Sequence, residues 1–355
     1  MDPRIDRPRG RGATRNVRSR FERLGYEPFH DDGADPPADP RTTLIADRSR
    51  SIITRNDSPD IPFDRSINPY RGCEHGCSYC FARPTHAYLD MSPGLDFETK
   101  IVFKPNAPEL LERELARRDY ACLPLALGTN TDPYQPAERG LELTRRLLLV
   151  LERHRHPVTI VTKSALVTRD LDILAPMAER RLAAVYLSIT TLDDQLARRM
   201  EPRAAAPARR LATLARLADH GVPTGVLASP IIPGLNDDEL ERILEAAAKH
   251  GASRAGYLLL RLPHEVREIF SDWLERAYPG RASKILARIR EMRGGELNDP
   301  RYGERHVGRG PFAELLARRF ELAVRRLGLA DRRTELDTTQ FRVPRGGGRQ
   351  GALFD

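Results

Sequence analysis

Residues 68–84 read NPYRGCEHGCSYCFARP, and they hold three of the four cysteines of the chain, Cys73, Cys77 and Cys80, with three and two residues between them. A first strand is expected at 66–70, and the thiols lie in the loop directly after it. Three thiolates in one turn can hold three irons of a cubane and leave the fourth iron open for a small ligand. The other metal reading is a zinc knot with His75 or Cys122 as its fourth ligand. Structural zinc normally joins two separated pairs so that the metal closes a loop, and no second pair follows here. Four cysteines in 355 residues make a poor disulfide framework, so the cluster points to metal or redox work in a reducing compartment.

Outward from this loop, short apolar runs alternate with segments of helical spacing, the pattern of βα units and a parallel sheet. Strands are expected at 66–70, 123–127, 158–162, 184–189, 224–228 and 254–260. Helices are expected at 107–117, 137–154, 170–179, 207–220, 237–250 and 264–277. Gly221 and Gly251 stand where a left-handed C-terminal residue belongs, and Asn236 and Asp237 where an N-cap is wanted. Trp273 shares helical spacing with Phe270 and reads as core. Neither GxGxxG nor GxxxxGK[ST] occurs, which removes the usual support for nicotinamide and P-loop chemistry.

The CxxxCxxC loop, together with GTNTDPYQPAE, TKS, SIT, EPRA, SPIIPGLND and LLLRLPHE further along, resembles the radical S-adenosylmethionine (radical SAM) superfamily, and within it a bacterial branch related to spore photoproduct lyase. The resemblance implies an α/β fold of the partial (β/α)6 TIM-type barrel kind over residues 61–285. It implies a 4Fe-4S cluster on Cys73, Cys77 and Cys80 whose open iron is chelated by the amino and carboxylate groups of S-adenosylmethionine. An electron from a reductant such as a flavodoxin or ferredoxin would then split the sulfonium, and the 5'-deoxyadenosyl radical would take hydrogen from a substrate.

The implied cofactor residues lie at the C-terminal ends of the expected strands, where barrel sites are built. Tyr79 and Phe81 flank the last thiol, on the adenine side in related lyases. Thr129, Asn130, Thr131 and Asp132 offer short polar groups where relatives bind the ammonium and ribose, although such a string is also an ordinary turn. Lys163 is one of only five lysines against 53 arginines, and a compact ammonium can meet a carboxylate or ribose hydroxyl where a planar guanidinium does not fit. Ser188 ends the fourth strand, Glu201 and Arg203 follow it, Ser229 ends the fifth, and Arg261 ends the sixth on the expected substrate side. Lyases of the best-known kind carry a hydrogen-donating cysteine just before the polar string; Thr129 stands there instead, which sets the second half of the reaction apart.

Residues 1–60 lack sustained periodicity and read as a mostly disordered arm, and residues 286–355 as a C-terminal extension with one amphipathic helix, 311–327, laid over the open side of the barrel and ending in a Gly-rich tail. The net charge of +8 is concentrated in the two ends. Basic ends can reach for the phosphates of nucleic acid, or simply be solvated. No apolar run is long enough to span a bilayer and no apolar stretch follows the basic N-terminus, so a soluble, cytoplasmic chain with no membrane partner is expected. The competing function is a nucleic-acid-binding protein with a structural or redox-sensing iron-sulfur cluster. Polar strand ends discriminate, because a structural cluster needs no neighbouring site for an amino acid carboxylate and a ribose.

Overall fold

The apolar runs become strands and the amphipathic segments pack over them, as the alternation requires. The computed structural model describes residues 10–22, 41–331 and 335–344. The strands are β1 (Thr43–Ala46), β2 (Ile53–Arg55), β3 (Arg65–Ile67), β4 (Tyr70–Arg71), β5 (Lys100–Phe103), β6 (Leu125–Leu127), β7 (Val158–Thr162), β8 (Ala183–Ser188), β9 (Thr224–Ile231), β10 (Arg254–Leu259) and β11 (Ala330–Asp331). The main sheet runs in the order β11-β10-β9-β8-β7-β6-β3-β2, and every neighbouring pair is parallel except β2 with β3. The six expected strands are therefore β3 and β6 to β10, joined by the long crossovers that parallel pairing demands. Among the described residues the edge strands β2 and β11 do not pair with each other, so the sheet is open and no closed TIM barrel forms.

A small sheet of order β1-β5-β4 stands beside the cysteine loop. Its strands of two to four residues present too few positions for an alternation to show in sequence. The main core is built from Leu125, Leu127, Ile160, Val185, Leu187 and Val226 of the sheet with Leu147, Leu174, Leu214 and Leu244 of the covering helices, all fully buried.

Helices form at Ala107–Leu115, Leu171–Glu179, Pro207–Asp219, Leu240–Lys249, Val266–Ala277 and Pro311–Leu327, close to expectation. Gly221 and Gly251 have φ of 73° and 87°. The single helix expected at 137–154 is two, Glu138–Leu141 and Leu143–Arg153, broken at Glu142 with φ 49°. Glu138 causes the break: its buried carboxylate turns inward to accept from the Thr144 amide at 3.0 Å and from Arg169 at 2.8 Å. Asn236 stands at the N-cap position before Asp237–Glu239, but its side chain makes no cap bond there. Its amide donates to Thr190 O and Pro230 O at 2.7 and 3.0 Å, tying the loop after β9 to the end of β8.

Three boundaries also differ. The arm expected to be disordered is, at 10–22 and 41–60, bonded to the rest of the fold through β1, β2 and polar contacts with partners far along the chain; residues 1–9 and 23–40, which hold most of the acidic, Pro-rich stretch, lie outside the described residues. The boundary expected at 285 falls inside the helix Ala282–Met292. The helix Pro311–Leu327 does not cover an open side: it lies along Leu240–Lys249, with Arg319 bonded to Glu241 at 2.6 and 2.7 Å, and leads into β11, which extends the sheet. The Gly-rich tail at 345–350 lies outside the described residues. No helix of the described residues is long and apolar enough to cross a membrane.

Candidate functional site

The loop after β4 is held from several directions by backbone bonds. Cys73 N donates to Phe97 O at 3.0 Å, Ser78 N to Met200 O at 3.0 Å, and Cys80 N to Cys77 O at 3.3 Å. Gly72 O accepts from Thr131 Oγ1 and Gln135 Nε2 at 2.6 and 3.2 Å, and Gln135 Oε1 takes the Glu74 amide at 2.9 Å. Cys73 and Cys77 are buried, Cys80 is half-buried, and all three are free thiols. Beneath them lies Arg83, with no exposed surface. Its guanidinium donates to Cys77 O, Pro93 O and Gly94 O at 3.0, 3.1 and 2.9 Å and pairs with the equally buried Glu98. A buried pair is tolerated when its remaining donors and acceptors are satisfied, as these are, and removing one partner typically costs about 3–5 kcal/mol.

Part of that satisfaction comes from the N-terminal segment. Gly12 N and Ala13 N donate to the Glu98 carboxylate at 3.0 and 2.8 Å, and Arg11 Nη1 to Glu98 O at 2.9 Å. Asn16 exchanges bonds with Asp96, and Val17 with Ser92. The same segment then reaches the helix that follows β10: Arg15 meets Glu268 at 2.8 Å, Arg20 meets Glu265 at 3.0 Å, and Ala13 and Val17 pack on Ile269. Residues 11–20 thus form a strap from the flank of the cysteine loop to the unit five strands away across the sheet.

On the other side of the loop is a group of charges. Asp132 accepts from Thr162 Oγ1 (2.6 Å), Lys163 N (2.8 Å) and Tyr134 N (2.9 Å), and faces His75 Nδ1 at 3.3 Å. Burial alone would push its carboxyl up, but His75 and these donors hold it at about 2. Glu201 is also buried and held at about 2, chiefly by Arg210 and Lys163 acting against desolvation; it accepts from Thr190 Oγ1 at 2.6 Å and from the Tyr79 hydroxyl. Burial pushes the Cys77 thiol up to about 12, even with the Lys163 ammonium opposing it, and raises Cys73 and Cys80 as well. Burial favours neutral Lys163, yet the nearby carboxylates Glu201 and Asp132 help to reverse this and keep it an ammonium. Its Nζ makes no hydrogen bond or ion pair within the described residues and lies 5.8 Å from the Tyr79 ring.

The sequence-predicted residues are thus placed unevenly. Lys163, Tyr79 and Asp132 meet beside the cysteines. Phe81 is 49 % exposed, with the Arg261 guanidinium 5.8 Å from its ring. Thr129 Oγ1 and Asn130 N both bond Asn68, which leaves the Asn130 side chain uncommitted, while Thr131 is spent on the loop carbonyl. Ser188 Oγ donates to Ser229 O at 3.1 Å, and Ser229 lies within β9. Glu201 and Arg203 do not pair with each other: Glu201 pairs with Arg210, and Arg203 with Glu74 at 3.1 Å. His75 faces Asp132, and Cys122 precedes β6 at the sheet end opposite the cysteine loop. Arg83, Glu98, Gln135 and Arg210 escaped the sequence reading. Arg210 sits in an arginine-rich helix resembling a solvated face, and Arg83, Glu98 and Gln135 are single polar residues in loops and short helices whose partners lie elsewhere in the fold.

A family model of the Radical SAM superfamily matches residues 67–247, just over half of the chain. The chain belongs to the radical SAM superfamily. An uncharacterized protein of Mycobacterium tuberculosis is 38% identical over 247 residues, which cover 69% of this chain and 72% of that one. One from Methanocaldococcus jannaschii is 30% identical over 173 residues, 49% of this chain and 62% of its own length. Among solved structures, a mutant spore photoproduct lyase with bound AdoMet and dinucleoside spore photoproduct superposes with a TM-score of 0.56 over 82% of each chain at 17% identity, a likeness of fold.

The radical SAM family implies a 4Fe-4S cluster and S-adenosylmethionine, and the residues present fit both. Among the described residues no three His, Cys, Asp or Glu side chains converge on one metal ion. A cubane asks for a different arrangement, one thiolate to each of three irons. Ser78 Oγ, between the second and third thiols, is buried with no partner, and cluster sulfur is an acceptor for such a hydroxyl. The thiols keep their protons at neutral pH unless a metal replaces them.

Proposed function

We propose that this chain cleaves S-adenosylmethionine reductively, with Cys73, Cys77 and Cys80 holding three irons of a 4Fe-4S cluster. The observation that carries the reading is the unpaired Lys163 ammonium beside three free thiols in one clamped loop. When bound, the cluster supplies the electron that splits the sulfonium to a 5'-deoxyadenosyl radical, which takes hydrogen from a substrate.

The chain's own residues bind and orient. Lys163 offers a charge-assisted hydrogen bond to the cofactor carboxylate or a ribose hydroxyl, and nearby Glu201 and Asp132 keep it charged. The Asn130 amide and the aromatic face of Phe81 are open to ribose and adenine. Arg203 already holds Glu74, so it reaches the cofactor only by exchanging partners. The electron comes from a small redox protein of the flavodoxin or ferredoxin kind. The Tyr134 hydroxyl is bonded to Asp170 at 3.1 Å, so it is poorly placed to return hydrogen to a product radical. Anaerobic reconstitution, reduction and incubation with S-adenosylmethionine, followed by chromatography, should yield 5'-deoxyadenosine. A reconstituted, reducible cluster that yields none would leave the structural or redox-sensing reading in its place.

A further inference from the structure

On the outer side of His75 lies a cleft of about 500 Å3, large enough for a small ligand or a few nucleotide-sized units. Its wall is formed by the start of the helix Pro207–Asp219, the loop before it, and the segments after β6 and β7. Five arginines line it, Arg139, Arg169, Arg203, Arg209 and Arg216, together with His75, and no Asp or Glu does. Two of the five are already neutralised, Arg169 by Glu138 and Asp170 and Arg203 by Glu74. Arg139, Arg209 and Arg216 meet no carboxylate within the described residues, and all three are exposed. Exposed arginines without a carboxylate partner occur elsewhere too, Arg276 and Arg325 among them; what sets these three apart is that they border one concavity whose lining holds no Asp or Glu.

We propose that this cleft binds phosphate groups. A concave wall of one charge concentrates its field on the space it encloses, which favours a multiply charged anion over a single carboxylate. Guanidinium forks match phosphate oxygens bidentately, and three of them can be used at once only by a ligand that presents several such oxygens. S-adenosylmethionine, with a sulfonium and an ammonium against one carboxylate, is net cationic and is not the occupant. His75 is the shared wall: its ring faces Asp132 beside the cysteine loop, and its carbonyl accepts the Arg203 amide. His75 stands between Cys73 and Cys77, so a phosphate held here borders the cysteine loop. The site does not depend on a cluster, so it can be tested on apo and reconstituted protein alike.

Two sources of phosphate fit, a free phosphate ester and the phosphodiester backbone of a nucleic acid. The test measures fluorescence anisotropy of a labelled single-stranded ten-nucleotide DNA, and its displacement by pyrophosphate, on the full chain across a salt series. Arg139→Ala, Arg209→Ala and Arg216→Ala are combined in one variant. The control combines Arg276→Ala, Arg318→Ala and Arg325→Ala, three exposed arginines away from the cleft with the same loss of charge. The cleft variant should bind at least tenfold more weakly, and the slope of log affinity against log salt should fall by about 2, from roughly 0.7 per lost single-strand contact. The control should change affinity less than twofold. Displacement by pyrophosphate that the cleft variant resists identifies a free ester as the ligand, and oligonucleotide binding insensitive to pyrophosphate identifies a backbone. Equal losses in the two variants, or no binding of either probe at 100 mM salt, would overturn the proposal.

Discussion

Gly12→Ala adds one methyl group in the strap. A Cβ at Gly12 would overlap the carbonyl oxygen of Gly76 and stand 2.9 Å from its carbon and 3.2 Å from Ser78 N, all backbone of the cysteine loop. Backbone cannot rotate away as a side-chain tip can, so the strap must lift. Lifting breaks the bonds of Gly12 N and Ala13 N to Glu98, at 3.0 and 2.8 Å. Bonds to a charged acceptor are worth about 1.5–3 kcal/mol each, so the loss is on the order of 3–6 kcal/mol. Glu98 is then under-satisfied, and its pair with Arg83, which donates to Cys77 O, is no longer braced from the strap side. We expect a Tm lower by several degrees in the apo protein, and iron and sulfide per chain after anaerobic reconstitution well below wild type. Gly140→Ala, where an added methyl meets nothing within 4 Å, is the control. A Gly12→Ala protein with wild-type Tm and wild-type iron would refute a supporting role for the strap.

The remaining expectations are narrower. Cys73→Ala, Cys77→Ala or Cys80→Ala should abolish stable iron binding while Cys122→Ala leaves iron and sulfide unchanged, and the reverse pattern would break the ligand assignment. Lys163→Ala should weaken S-adenosylmethionine binding by one to two decades with the cluster spectrum intact, the loss of one charge-assisted bond of about 1.5–3 kcal/mol; unaltered affinity removes Lys163 from the site. His156 has no exposed surface, and burial holds its pKa down to about 4 from an ordinary 6.5. The unfolded chain therefore binds the proton first, so stability is full above pH 6.5 and falls by roughly 3 kcal/mol as pH drops toward 4; a melting series should show this dependence reduced in His156→Gln, and an identical profile would count against it. A dinucleoside spore photoproduct should not be turned over cleanly, because Thr129 offers a hydroxyl where a thiol donor is expected; product analysis showing catalytic return to two thymines would reverse that expectation.

The inner parallel strands were legible in sequence as apolar runs, β8 being buried along its whole length, whereas β3, Arg65–Ile67, has only one apolar residue of its own. The cysteine loop and Lys163 were legible by composition, three thiols in eight residues and a lysine amid arginines. Arg210 was not, because PARRLATLARLAD shows several arginines at helical spacing and only the fold reveals which one turns inward to Glu201. The strap was invisible for a different reason. It has little apolar surface to create a period, and its bonds go to single polar atoms of residues 92–98 and 265–272, separations no local pattern can report.

The strap also imposes an order in time on a chain made from its N-terminus. Arg20 and its partner Glu265 lie 245 residues apart, which at about 5–20 residues per second separates their synthesis by roughly 12–50 seconds. Throughout that interval residues 12–17 can already meet Glu98, Asp96 and Ser92, while Arg15 and Arg20 wait for Glu268 and Glu265. Synthesis of the helix after β10 ends the interval, so the far end of the strap is the last part of it to find its partners.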